Sequence, residues 1–292
     1  MTEFLNLTLN GLSAGMIYAV VALGLVLIWR ATRIVNFAQG AMAMFTTYMA
    51  VALIDHKVDY WVAFVAALAI GLVLGAVCEI LLIRPLQGKP ELNPVIVTLG
   101  LLILLEGIVG STFGVQNRGF PAAFSQSGLR IGHTRISFSH FDVFILVAAL
   151  ALMGLMLVLF KATNVGLRMR AAAFNPESSR LAGVRVNRVL VLGWSLAALA
   201  GSLAGLLVAP TAAFSPNYMD LIQVYAFTAA VVGGLDSPIG GLVGGLLTGL
   251  SLSYVGGYLG SSLEPLGAAV ILIVVLMIRP EGLFARAAAR RV

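Results

Sequence analysis

Two carboxylates stand inside long apolar runs of this chain, Glu79 and Glu106. An ionisable side chain among aliphatic residues can hold a proton, a cation or a substrate ammonium, and by default it marks function. Glu79 lies five residues before Arg84, in reach of pairing with it or of the edge of its run. Glu106 sits deep in its run, where it either contacts a substrate ammonium or is a protonated or hydrogen-bonded interior residue. A further polar break, Asn36-Phe37-Ala38-Gln39-Gly40, opens another apolar run. It reads either as the lining of a path or as polar capping near an interface. Other chemistries find no support. His56, His133 and His140 match no metal-ligand spacing. The single cysteine, Cys78, excludes an internal disulfide and a cysteine cluster. There is no G-x-x-x-x-G-K-[ST] phosphate loop and no nucleophile–base constellation, so the chain does not read as an enzyme and no cofactor is expected on it.

The largest polar interruption is the stretch 161–188, with six basic residues (Lys161, Arg168, Arg170, Arg180, Arg185, Arg188) against one acid, Glu177. It contains a short helix signal at 175–183. Asn175 stands at the N-cap, Pro176 at the first helical position, Glu177 in the first turn and Gly183 just past the end. The functional reading is a docking helix whose contact face carries Glu177 and Arg180. The alternative is an ordinary capped surface helix. Long loops tend to be functional, which favours docking.

These residues must be positioned by membrane helices. The chain has 292 residues, 60% hydrophobic and 10% charged, with mean hydropathy +1.01. Soluble domains carry about 25% charged residues, so a water-soluble fold is excluded. Apolar runs fall at 5–29, 34–54, 61–83, 94–113, 141–160, 189–209, 221–232, 239–258 and 265–278. The expected fold is an all-α polytopic membrane protein forming one transmembrane domain, 1–292. About eight helices cross, with 221–232 short enough to be re-entrant. No cleavable leader is apparent, so the first helix is expected to act as an uncleaved anchor.

Charge sets the expected orientation. Fourteen of the 18 basic residues fall in one set of loops: Arg30, Arg33, Arg84, Lys89, the six of 161–188, Arg279, Arg286, Arg290 and Arg291. The opposite set holds Lys57, Arg118, Arg130 and Arg135. The basic side is cytoplasmic by the positive-inside rule, which puts the N-terminus in the periplasm and the C-terminus in the cytoplasm. The net charge of +6 is then a topology signal, not a nucleic-acid signal. The outer loop 114–140 carries alternating residues about Gly132-His133 and predicts a small hairpin.

The segment 232–249 is glycine-rich. Gly240, Gly241, Gly244, Gly245 and Gly249 form small-xxx-small pairs that let helix backbones approach closely. Before them, Gly233–Pro238 with Asp236 makes a turn which, joined to the short run 221–232, suggests a broken helix. A polar break near Asn36 and another near Asp236 hint at a weak internal repeat.

Three blocks resemble the shorter of the two inner-membrane permease types of branched-chain amino-acid ABC transporters. They are NGLSAGMIYAVVALGLVLIWRATRIVNFAQGAMAMFTTY from Asn10, RPLQGKPELNPVIVTLGLLILLEG from Arg84, and the stretch from Arg170 through NPESSRLAGVRVNRV to VVGGLDSPIGGLVGGLLTG. IRPEGLF closes the resemblance. It implies a permease in the bacterial inner membrane that forms the path with a second related permease, a different chain or a copy. It also implies two cytoplasmic ATPases that hold ATP and magnesium, a periplasmic substrate-binding protein, and alternating access. Glu177, Arg180, Leu181 and Gly183 match the family's Glu-x-x-Arg-Leu-x-Gly coupling pattern, preceded by Asn175. Family substrates are leucine, isoleucine and valine and, in relatives, other amino acids, amides or urea. The chain departs from the family at Gln39 (usually His), Asp236 (usually Gly) and Glu106 (usually Gln), which admits a cationic or more polar substrate. Asn36, Gln39, Glu106 and Asp236 are therefore the expected path residues. The rival readings are a stand-alone proton-coupled transporter and a passive channel.

Overall fold

The computed structural model describes residues 2–90, 92–131 and 134–284; the Gly132-His133 turn and Arg286, Arg290 and Arg291 lie outside them. The helices in chain order are α1 (Thr2–Thr32), α2 (Gln39–Asp55), α3 (Tyr60–Cys78), α4 (Leu92–Phe113), α5 (His140–Ala162), α6 (Asn164–Phe174), α7 (Pro176–Leu181), α8 (Val186–Val208), α9 (Asp220–Gly233), α10 (Pro238–Tyr258) and α11 (Glu264–Ile278). α3 runs on through a π turn, Glu79–Ile83, and a 3-10 turn, Arg84–Leu86. The hairpin is present as β1 (Gly128–Ile131) and β2 (Thr134–Ser139), antiparallel, with Arg130 opposite Arg135.

α1 is the axis of the bundle. Every residue from Met16 to Ile28 is buried, and the helix packs against α5, α8, α9 and α10. A helix apolar on all sides belongs in an interior, so the segment expected as an anchor is also the core. α3, α4, α5 and α11 instead expose large apolar side chains such as Val65, Ile103, Val147 and Met277.

Two opposite faces can be identified. One gathers the start of α1, the hairpin and the end of α10. Phe4 stacks on Tyr254 with ring centroids 5.5 Å apart, and Ser137 N–H donates to Asn6 Oδ1 at 3.0 Å. The other gathers the end of α1, the start of α10 and the segment after α11. There Arg33 pairs with Asp236 at 2.7 Å, and Leu283 N–H donates to the Val232 carbonyl at 2.9 Å.

Among the described residues, seven helical segments of 18 residues or more are apolar enough to cross a membrane, as in a multi-pass membrane protein. α2 (17 residues) and α9 (14 residues) are shorter than these. The seven segments, with the shorter apolar helix α9, agree with the expectation of about eight membrane helices, one of them short. α9 alone reaches about 21 Å, short of the ~30 Å apolar layer. The irregular stretch 209–219 makes up the depth by folding into the protein. Phe214 is fully buried there, and the Tyr218 hydroxyl lies 3.0 Å from Thr47 Oγ1 and 3.1 Å from the Gly205 carbonyl. Irregular backbone survives at membrane depth when it is enclosed in this way.

Candidate functional site

The two short helices bring the polar residues together. The irregular segment 33–38 comes in from the second face and leads into α2, whose first residue, Gln39, is buried against the middle of α8. Gln39 Nε2 donates to the Ala197 carbonyl at 2.7 Å, and Asn36 Nδ2 donates to Gln39 Oε1 at 3.2 Å. Asn36 Oδ1 accepts the Ala38 N–H at 3.0 Å. From the opposite face, 209–219 leads into α9. The two inward-folded segments meet where Gln223 Nε2 donates to the Asn36 carbonyl at 3.4 Å, beside Gly40. Asn36 and Gln39 are fully buried and engaged by the protein itself. Two broken helices pointing their N-termini inward at mid-depth are the arrangement on which transporters build sites.

On the outer flank of this meeting point, Glu106 of α4 neighbours Asp220, the first residue of α9. Asn217 Nδ2 donates to Asp220 Oδ2 at 3.2 Å. Asp236 does not join them, because it sits at the second face with Arg33. Sequence reasoning missed Asp220 and Gln223. Their only local signal was polarity at the start of a short apolar run, and Glu106 and Asn36, which they meet across the bundle, lie more than 100 residues away in sequence. Glu79 takes the pairing option: its side chain is fully buried, and Arg84 Nη2 lies 2.8 Å from Glu79 Oε2.

The loop at 161–188 is more ordered than its sequence signal. α6, which sequence reasoning did not assign, begins at a Thr163 cap and buries Met169 and Ala172 against Val186, Val189 and Leu190. Asn175 ends α6 and starts α7, its Oδ1 accepting the Ser178 N–H at 2.9 Å. At the other end, Val184 N–H donates to the Ser179 carbonyl at 2.9 Å and Gly183 N–H to that of Arg180 at 3.0 Å. This is a Schellman stop, and Gly183 adopts the φ of +81° that it requires. The glycine of the pattern is therefore needed for its backbone, since no atom crowds it. The helix so fixed presents Glu177 and Arg180 to the outside and leaves Leu181 92% exposed.

The glycines of α10 face two ways. A Cβ at Gly240 would overlap the Gly233 carbonyl, and one at Gly244 the Ala229 carbonyl, both on α9. A Cβ at Gly245 would lie 2.6 Å from Ala19 Cα, and one at Gly249 would overlap Gly15, both on α1. Gly241 has ordinary contacts, the nearest being Val26 at 3.7 Å.

Residues 7–279 match the protein family described as branched-chain amino acid transport system / permease component. The high-affinity branched-chain amino acid transport system permease protein LivH of Escherichia coli (strain K12) is 27% identical, over 97% of this chain and 96% of its own length. The corresponding protein BraD of Pseudomonas aeruginosa is 28% identical over the same shares, 97% and 96%. The ribose import permease protein RbsC of Escherichia coli (strain K12) is 28% identical over 94% of this chain and 85% of its own. Among solved structures, PsaBC from Streptococcus pneumoniae in complex with Fab aligns with a TM-score of 0.50 at 16% identity, covering 94% of this chain and 91% of that one, a likeness of fold alone.

Proposed function

The chain belongs to the branched-chain amino acid transport permease family, and on that premise we propose that it is the membrane permease of an ATP-driven importer for a branched-chain or related amino acid. It forms the path with a second related permease and works by alternating access. The face carrying α6 and α7 is cytoplasmic, as the basic residues favour. Two ATPases dock there, and a periplasmic binding protein delivers substrate at the face carrying the hairpin. The observation that carries this reading is α7: a helix of six residues, capped at both ends, that ends on an almost fully exposed leucine, Leu181, directly after Arg180. An isolated surface helix gains nothing from such a leucine, whereas a docking helix buries it in a partner.

The test is uptake into proteoliposomes holding the chain with its ATPase subunits. Glu177→Lys or Arg180→Glu should lower uptake at least about tenfold, the worth of one lost charge-assisted contact. Yield and membrane insertion should stay unchanged, and ATP hydrolysis should no longer be linked to transport. Unchanged uptake would refute the docking role. Uptake by the chain without ATPases would replace the importer with a proton-coupled transporter or a channel.

The Glu106–Asp220 pair sets the expected substrate preference. Glu106 and, nearby, Asn36 and Gln39 flank the path in this reading, whereas Asp236 serves the cytoplasmic end through Arg33. Glu106→Gln should lower the ratio of cationic to neutral amino-acid uptake several-fold, the effect of ~1 kcal/mol of charge attraction, at equal yield. An unchanged ratio would remove Glu106 from the path.

A further inference from the structure

A hollow of about 450 Å³ lies between α6, the segment 182–184 that follows α7, and the start of α8. Arg168, Arg185 and Arg188 line it together with Val165, Val189 and Leu192. Its volume falls within the ~300–1,000 Å³ of small-molecule sites. No carboxylate lines it, and none of the three arginines forms an ion pair among the described residues, where the pairs are Arg33–Asp236, Arg84–Glu79 and Arg118–Asp55. Three unneutralised guanidiniums around one hollow call for an anion with several acceptor oxygens.

The other wall says where that anion is attached. Leu192 stands one turn beyond Arg188 as α8 enters the apolar layer, and it is 42% exposed. α6 lies beside it with Leu167 exposed as well. Charge at the mouth and aliphatic surface running on from it, at the depth where a membrane helix leaves the bilayer, matches a phosphate headgroup continuing into an acyl chain. Basic pockets between membrane helices hold such headgroups. We propose that the hollow formed by Arg168, Arg185 and Arg188 is a binding site for an anionic phospholipid, holding α6 and the α7 docking helix at a fixed height on the membrane.

The test compares phosphatidylglycerol with phosphatidylcholine bound to the purified transporter in mixed micelles, read by native mass spectrometry. The wild type should retain phosphatidylglycerol preferentially. Each single change, Arg168→Gln, Arg185→Gln or Arg188→Gln, should weaken that retention about fivefold, since each basic residue near anionic lipid contributes ~1 kcal/mol. The triple change to Gln should abolish the preference, and the triple change to Lys should keep most of it, because the charges remain. Equal retention of the two lipids by the wild type would overturn the proposal. So would displacement of phosphatidylglycerol by millimolar inorganic phosphate, which would mark a site for a soluble anion. Loss of the ATPase subunits from the Gln variants with lipid retention intact would assign the surface to protein docking and also overturn it.

Discussion

Gly249→Leu is expected to prevent the native bundle from forming. The position lies on α10 where that helix crosses α1 backbone to backbone. The Cβ alone would overlap Gly15 Cα and N, and would lie 2.6 Å from the Gly11 carbonyl oxygen. Overpacking a core usually costs about 1–3 kcal/mol, a range set by side chains that can move aside. Here the obstructing atoms are main chain of the most enclosed helix in the protein, with α8 and α9 against its other sides. α1 cannot retreat without opening the whole core, so a cost above ~3 kcal/mol is expected. Gly154→Ala on α5, where no atom lies within 4 Å, is the matched control and should leave the protein unchanged. Thermal unfolding of the two purified proteins in detergent, followed by circular dichroism, separates them. A Gly249→Leu protein that is monodisperse and melts with the wild type would mean that α1 and α10 do not pack as closely as this.

The glycine spacing of α10 was legible in the sequence because close helix approach in lipid has a local signature. Which glycine faces which neighbour was not. Gly244 and Gly245 are adjacent in the chain yet meet α9 and α1 respectively, because one residue turns a helix face by about 100°. α7 was legible almost to the residue for the same reason: caps are chemistry between residues three to five apart, as at Asn175 and Gly183. The burial of α1 was not legible. A helix that is apolar all round reads the same whether lipid or protein surrounds it, and only its partners decide. The inward fold of 209–219 was hidden too, since its Pro, Ser and Asn residues are the same in an enclosed loop as in an exposed one. The joining of Asn36 to Gln223 and of Glu106 to Asp220 follows from two broken helices meeting across the bundle, and spans of that kind leave no trace in local periodicity.

Glu79 and Arg84 show how a local oddity can be read once the backbone is known. Five residues apart on a regular α-helix, two side chains point some 140° away from each other. The π turn at Glu79–Ile83 removes that mismatch: Arg84 N–H bonds the Glu79 carbonyl, and the wider turn brings the guanidinium back over the carboxylate. The pair is asymmetric, with the glutamate side chain fully buried and the arginine side chain 35% exposed. Removing the arginine therefore strands a buried charge, whereas removing the glutamate frees an arginine that reaches water. Arg84→Gln should destabilise the protein by about 3–5 kcal/mol, and Glu79→Gln by about 1 kcal/mol. The double variant, in which two amides face each other, should regain most of the loss. Unfolding of the three variants in detergent measures the coupling directly. If Arg84→Gln proves no more damaging than Glu79→Gln, the carboxylate has another source of stabilisation, and the π turn is held by packing alone. If the double variant is as weak as Arg84→Gln, the salt bridge is not what the turn exists to make.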